Sequence, residues 1–213
     1  MDFFEKIMNY DNENIFWFVL FSAYNKNSKI IPYLKAAGIE YFYPLHYQEK
    51  LRRGCEQLTQ RILQPILNNF LFVKSSKQQL DPLLKKIKLE LGLNSGLYYR
   101  DSNSKAIIVV PDKDMQNFIS IASVIEENVI YMSSKEVDLK QGTKVRITGG
   151  LFEGVEGIFM RIKGDRRVVV CLPNLLSVAT TFVPIQYITP LDLKNTNNGY
   201  LTNKMRKTEL AKR

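Results

Sequence analysis

The chain contains 213 residues, which is enough for one large domain or two small ones. Hydrophobic residues account for 45% of the sequence and charged residues for 24%, a balance typical of folded rather than disordered proteins. No apolar run approaches the ~20 residues of a membrane span, and the acidic, polar N-terminus does not resemble a secretory signal. Cys55 and Cys171 lack metal-ligand spacing, so we expect a cytoplasmic protein without a metal or cofactor.

Positive charge is concentrated near the C-terminus. The formal net charge is +9 and the isoelectric point is near 9.4, which favours polyanionic surroundings such as nucleic acid or an acidic complex. In residues 193–213, however, six basic residues stand against one acidic residue, so we predict a basic, flexible tail there. A solvated tail explains the charge as well as a nucleic-acid-binding arm does.

Strand and helix signals alternate in the first part of the chain. After a polar extension at residues 1–15, the aromatic run Trp17–Phe21 predicts a buried strand. Apolar residues at helical spacing predict a helix before Gly38, a second that starts at Asp81-Pro82, and a third that starts at Asp112. This order predicts an α+β domain at residues 16–125, with helices on one face of an antiparallel sheet.

The pattern changes after residue 125. Polar residues predict a linker at residues 126–138. Residues 139–192 then show short strand patterns and no helical signature, which predicts a small SH3-like β-barrel. The predicted strands are Lys144–Ile147, Gly157–Lys163, Arg166–Leu172, Val178–Val183 and Tyr187–Thr189.

Several glycines crowd the segment Val145–Met160. Gly149 and Gly154 have the spacing of a phosphate-binding P-loop, but valine and Glu156 stand where that motif requires lysine and serine or threonine. No helix follows to hold an anion at its N-terminus. We therefore interpret the segment as a tight turn with a phenylalanine projecting from its tip. The residues of this predicted turn are Gly150, Phe152, Gly154 and Gly157.

Three segments resemble the NusG family of transcription factors. Val145-Arg146-Ile147 and the glycine turn that follows resemble the KOW motif. Trp17-Phe18-Val19-Leu20 resembles the first strand of the NusG N-terminal (NGN) domain, and Pro65–Val73 resembles its Pro-Leu-Phe-Pro-Gly/Asn-Tyr-Leu-Phe-Val segment. The resemblance covers about residues 15–192. It implies an NGN domain, an antiparallel sheet with flanking helices, followed by a KOW barrel.

The resemblance implies a binding function without catalysis. NGN domains bind the clamp helices of the largest RNA polymerase subunit, approach the gate loop of the second subunit and favour processive elongation. Ile66, Leu67 and Phe70 align with the clamp-helix contact. The gate-loop contact aligns near Gln78–Leu84, where no single residue is assigned.

A basic hairpin tip is the second candidate contact. Arg52 and Arg53 stand in a predicted tip that could touch nucleic acid in the elongation complex, although a solvated tip is the simpler interpretation. In relatives the KOW domain reaches termination factor Rho or ribosomal protein S10. The resemblance implies one of these partners for residues 139–192.

Features outside the two motifs resemble specialised members of the family. The polar extension, the Leu67-Asn68 turn, the longer linker and the basic tail are similar to the UpxY-type antiterminators of capsular polysaccharide operons. The Gly-Leu-Phe-Glu-Gly stretch is also similar to the RfaH-type paralogue, whose C-terminal domain can refold into a helical hairpin. Alternating strand patterns favour a barrel here.

Other functions are left open by the sequence. A general housekeeping NusG factor is the first alternative, and a KOW-containing ribosome- or RNA-binding protein is the second. An enzyme is disfavoured, because His46 is the only histidine and the two cysteines are distant in sequence, so no catalytic triad or metal cluster can be assembled.

Overall fold

The structure of the protein is a computed structural model that describes residues 14–22, 26–52, 55–67, 69–93, 97–124, 129–133, 142–172 and 175–191. The chain forms two compact units, Met1–Ile119 and Ser120–Arg213. The prediction of three helices combined with antiparallel sheets is confirmed for the described residues. The finer domain boundaries given above stay a prediction.

Strands and helices alternate up to residue 122. The strands are β1 (Ile15–Phe21), β2 (Glu40–Phe42), β3 (Leu45–Arg52), β4 (Cys55–Pro65), β5 (Phe70–Ser76) and β6 (Val109–Val110). The helices are α1 (Asn27–Ala36), α2 (Lys77–Glu90) and α3 (Asp112–Ala122). The main sheet has the order β2-β5-β1-β6, with all its pairs antiparallel, and β3 and β4 form a separate hairpin.

Helices cover both faces of the main sheet. Phe18 of β1 and Leu71 of β5 belong to a buried core that they share with residues of α1 and α2. Alternate residues point to the opposite face, where Phe72 and Phe42 contact Phe118 of α3 at ring-centroid distances of 5.5 and 6.0 Å. The prediction that helices lie on one face is therefore wrong. The continuous apolar runs of β1 and β5 are typical of strands buried on both sides.

Helix α2 begins earlier than the sequence predicted. Its N-cap is Ser76, whose Oγ accepts a hydrogen bond of 3.2 Å from the Gln79 N–H. Pro82 lies inside the helix, where it cannot donate to the carbonyl four residues before it. The prediction of a start at Asp81-Pro82 is wrong because the additional turn buries Leu80 completely, which offsets the missing bond.

The second unit is built on one antiparallel sheet. Its strands are β7 (Ile130–Ser133), β8 (Thr143–Ile147), β9 (Glu156–Ile162), β10 (Asp165–Leu172), β11 (Leu176–Ala179) and β12 (Ile188–Pro190), in the order β12-β8-β9-β10-β11-β7. The segment in which we predicted a linker, residues 126–138, thus contains β7, which pairs with β11. Closure into an SH3-like barrel stays a prediction.

The predicted strand Val178–Val183 differs in its bounds from β11, which spans Leu176–Ala179. The strand ends at Ala179, although the N–H of the next residue, Thr180, still donates to the Val168 carbonyl at 3.0 Å. Its Oγ1 accepts the Val168 N–H at 3.1 Å, while its carbonyl accepts a 2.8 Å hydrogen bond from the buried Arg167 guanidinium. The side chains of Thr180 and Arg167 thus take two of the backbone hydrogen-bonding groups that would continue the ladder, and the last β10–β11 pair is Val169 with Ala179.

Candidate functional site

The candidate polymerase contacts lie on the turn between β4 and β5. The Ile66 N–H donates to the Pro44 carbonyl at 3.0 Å, and the Phe70 N–H donates to the Leu67 carbonyl at 3.3 Å. The Ser22 N–H donates to the carbonyl of Asn69, the residue before β5, at 2.9 Å. The turn is thus held both at its base and against the end of β1, and Ile66, Leu67 and Phe70 are each half-buried.

Phe70 belongs to an aromatic cluster at the end of the sheet. Its ring centroid lies 4.8 Å from that of Tyr99 at an interplanar angle of 85°, and 5.5 Å from that of Phe21. Such edge-to-face and tilted contacts are the favourable arrangements for aromatic pairs. All three rings are half-buried, so each ring packs against the others and also contributes to the protein surface.

We name this surface the β4–β5 patch. It consists of Ile66, Leu67, Phe70, Phe21 and Tyr99. The last two were missed by sequence reasoning, because they are distant in sequence from the turn and join it only through the β1–β5 pairing and the hydrogen bond from the Tyr99 N–H to the Val19 carbonyl. The Tyr98-Tyr99 pair was the only sign in the sequence that this segment contributes an aromatic ring to the patch.

A charged network braces the same face of the sheet. The Asp112 carboxylate accepts a 3.1 Å hydrogen bond from the indole Nε1–H of Trp17 and lies 2.7 Å from Lys74 Nζ. The hydrogen bond from Lys74 is the main cause that lowers the pKa of Asp112, and the same contact raises the pKa of Lys74. The network ties β1 and β5 to the first turn of α3.

The structure gives less information on the two other predicted contacts, which are the gate-loop region and the Arg52-Arg53 tip. In the gate-loop region, Leu80 and Leu84 are buried, so only the exposed residues of that range, such as Gln78, could meet a partner. Arg52 is the last residue of β3, but its side chain lies outside the described residues, as does the whole of Arg53. Both contacts stay predictions.

The β3–β4 hairpin exposes an apolar pair that the sequence did not single out. Tyr47 and Leu63 face each other across the two strands and are 45% and 42% exposed. The guanidinium carbon of Arg61 lies 5.0 Å from the centre of the Tyr47 ring, a cation–π contact.

Two glycines in the turn of the second unit have a backbone conformation in the left-handed region. Gly150 and Gly154 adopt φ values of +83° and +87°, which favour glycine. A Cβ on Gly157 would lie 2.6 Å from the Val169 carbonyl oxygen, so this glycine permits close approach of β9 to β10. The ionic and hydrogen-bonding contact of Glu156 with Arg146 occupies the carboxylate.

The tip of that turn differs from the prediction. Phe152 is only 4% exposed and belongs to the buried set, whereas its neighbour Leu151 is 62% exposed. The prediction that Phe152 projects from the tip is therefore wrong. The positive φ of Gly150 turns the chain so that the phenylalanine points into the β-structure, where its large apolar surface is removed from water.

The described residues of the first unit offer an apolar contact surface. Within the described ranges, no three histidine, cysteine or acidic side chains come together in a way that could hold a metal ion. None of the helices in that part of the chain has the length and apolar character of a membrane span. The fold and the patch together define a two-unit α/β protein whose candidate site is an apolar binding surface.

The comparison with known proteins finds a family match within the first unit. The family model for transcription termination factor NusG matches residues 16–119. A solved structure, described as "Domain interaction in Thermotoga maritima NusG", is 15% identical, with coverage of 84% of this chain and 98% of that chain and a TM-score of 0.40. No curated protein sequence matches the chain.

Residues 16–119, slightly less than half of the chain, therefore resemble a NusG-family domain. The factors of this family act in transcription. The β4–β5 patch lies entirely within the matched range.

Proposed function

We propose that the protein is a transcription elongation factor that binds RNA polymerase through the β4–β5 patch. The observation that carries this proposal is the NusG-family match, which spans every residue of the patch. Its half-buried rings add support, because a preformed apolar surface loses little conformational freedom on binding. The partner surface would be the clamp helices of the largest polymerase subunit.

The mechanism that follows is a shift in population. A factor that binds the elongating form of polymerase better than the paused form favours elongation by that difference in affinity and by no more. About 1.4 kcal/mol of differential binding changes the ratio of the two forms ten-fold. No group on the protein has to react with substrate for this effect.

Within this function we propose a specialised, UpxY-like antiterminator of polysaccharide operons. The polar extension, the Leu67-Asn68 turn and the basic tail support this choice over a general factor. The second unit would be a KOW barrel that meets Rho or ribosomal protein S10. Its antiparallel sheet and the φ values of its glycine turn support that assignment.

Replacing Leu67 with aspartate tests the patch directly. The substitution places a charge in a contact that excludes water, so we expect the Kd for core RNA polymerase to rise about 30-fold or more, equivalent to ~2 kcal/mol. Leu89→Asp is the matched control, because Leu89 is 82% exposed on α2. Trp17 fluorescence verifies that both variants are folded. Unchanged polymerase binding by folded Leu67→Asp would contradict the patch.

Transcription in vitro separates the specialised factor from the general one. A template that carries a terminator is transcribed with and without an operon leader upstream. Read-through that requires the leader would support the specialised function, whereas equal effects on both templates would support the housekeeping alternative. A protein that binds RNA but not core polymerase would instead be the ribosome- or RNA-associated alternative.

A further inference from the structure

The β3–β4 hairpin has an edge that no other described strand covers. Its two strands form a sheet of their own, and within the described residues β4 pairs only with β3. Thr59, Gln60, Arg61 and Leu63 of β4 are all exposed. The free side of β4 therefore presents a row of backbone N–H and C=O groups that another strand can pair with. A two-stranded hairpin is only marginally stable in water, so such pairing would stabilise it.

The register of the hairpin shows which residues of β4 direct their backbone outward. The Ile66 N–H donates to the Pro44 carbonyl at 3.0 Å, so these two residues form a hydrogen-bonded pair that continues the ladder. Bonded and non-bonded pairs alternate along antiparallel strands. Every second residue counted back from Ile66 therefore bonds to β3, and the residues between them direct their backbone groups to the free side. The outward residues are Thr59, Arg61, Leu63 and Pro65.

We propose that this edge, residues 59–65, pairs antiparallel with the same edge of a second copy of the chain. Pairing across a two-fold axis is self-complementary, because every contact occurs twice. With Ile62 on the axis, Arg61 lies opposite Leu63 of the second copy, and both direct N–H and C=O groups at each other. Thr59 then lies opposite Pro65, so the missing proline N–H falls at the end of the ladder. Each outward group of these four residues has a partner except the Thr59 carbonyl.

The side chains also fit this register. On the face that carries Tyr47 and Leu63, the row across four strands reads Tyr47, Leu63, and then Arg61 and Glu49 of the second copy. Arg61 thus meets leucine and not another Arg61, so like charges do not oppose each other. The two Leu63 side chains become diagonal neighbours, which covers part of the exposed Tyr47–Leu63 pair.

The neighbouring registers are less favourable. Centring the axis on Arg61 places two guanidinium groups directly opposite each other, which is destabilising. Centring it on Leu63 places Pro65 opposite Arg61, so the missing N–H interrupts the ladder inside the paired region. The Ile62-centred register avoids both costs.

Sedimentation velocity of the full chain, over about a hundred-fold range of concentration, should show an equilibrium between monomer and dimer. Leu63→Pro removes an outward N–H and leaves the bonds to β3 intact, so it should raise the dissociation constant of the dimer about ten-fold or more. The matched control Glu49→Pro makes the same change on the outer edge of β3 and should leave the dimer unaffected. A chain that stays monomeric over the whole range, or equal losses in both proline variants, would overturn the proposal.

Disulfide formation reports the register even if a proline disturbs the hairpin. In a chain whose Cys55 and Cys171 are replaced by serine, Ile62→Cys places two thiols at the two-fold axis. Cβ atoms of directly opposed residues lie about 4.5 Å apart in non-bonded pairs, close to what a disulfide spans. Gln60→Cys is the control, because its two thiols would be offset by about 13 Å along the strands. Mild oxidation should therefore link Ile62→Cys into a covalent dimer far more readily than Gln60→Cys. Equal linking of both, or none in Ile62→Cys, would contradict the paired edge.

Dimerisation through this edge does not depend on the proposed polymerase contact. Leu67 lies outside residues 59–65, so folded Leu67→Asp should self-associate like the unmodified chain. Loss of the dimer in folded Leu67→Asp would contradict an edge confined to residues 59–65. Its polymerase binding concerns the β4–β5 patch alone, so the two tests can fail independently.

Discussion

Replacing Phe118 with alanine removes the ring through which α3 covers the second face of the sheet. Phe118 is fully buried and contacts the rings of Phe42 and Phe72. Deletion of a buried phenylalanine side chain costs about 3–5 kcal/mol, which combines lost burial with the cavity that remains. A domain of this size has roughly 5–15 kcal/mol in total, so the variant should fold with a small margin.

Urea unfolding followed by Trp17 fluorescence measures this effect. Trp17 is the only tryptophan in the chain and is buried on the same face of the sheet. With a denaturant slope of about 2 kcal/mol/M, the unfolding midpoint should fall by roughly 2 M. The control Leu89→Ala, on the exposed side of α2, should change stability by less than about 0.5 kcal/mol. A Phe118→Ala variant that is destabilised by less than about 0.5 kcal/mol would refute the packing of α3 on the sheet.

Two further changes probe the sheet and the glycine turn. Because the folded-state pKa of Asp112 is depressed, its contribution to stability is present above the unfolded pKa of about 3.9 and is lost as pH falls through the folded value. The urea midpoint of Asp112→Asn should therefore change less between pH 5 and 2 than that of the unmodified chain, and equal changes would contradict the network. Gly157→Ala should destabilise the second unit by about 1–3 kcal/mol, because its Cβ meets the Val169 carbonyl. Thermal circular dichroism checks this, with exposed Leu151→Ala as control, and an unchanged Tm would argue against the close strand approach.

Elements defined by local signals could be predicted well. The aromatic run at Trp17–Phe21 lies in β1, and Gly38 follows α1 with a φ of +66° as a stop signal should. The start of α2 was harder, since Asp81-Pro82 has the local chemistry of a helix start and Ser76 does not stand out. Burial of Leu80 decided the boundary, and burial is a property of the assembled core.

The candidate site likewise combines residues that the sequence indicated with residues that only the folded structure brings together. Ile66, Leu67 and Phe70 could be proposed from one contiguous segment, because that segment resembles the family motif. Phe21 and Tyr99 join them only through strand pairing. Phe152 was placed at the tip of the glycine turn, since sequence shows where a chain reverses but not toward which side a side chain then points.

The sequence by itself determined the strand at Trp17–Phe21, the glycine positions at which the backbone must reverse, and the resemblance to the NusG family. These features depend on residues within a few positions of one another. Only the tertiary structure decided that α3 covers the second face of the sheet and that Lys74 and Trp17 meet Asp112. Such convergence depends on contacts between distant segments, because burial and charge act through space and not along the chain.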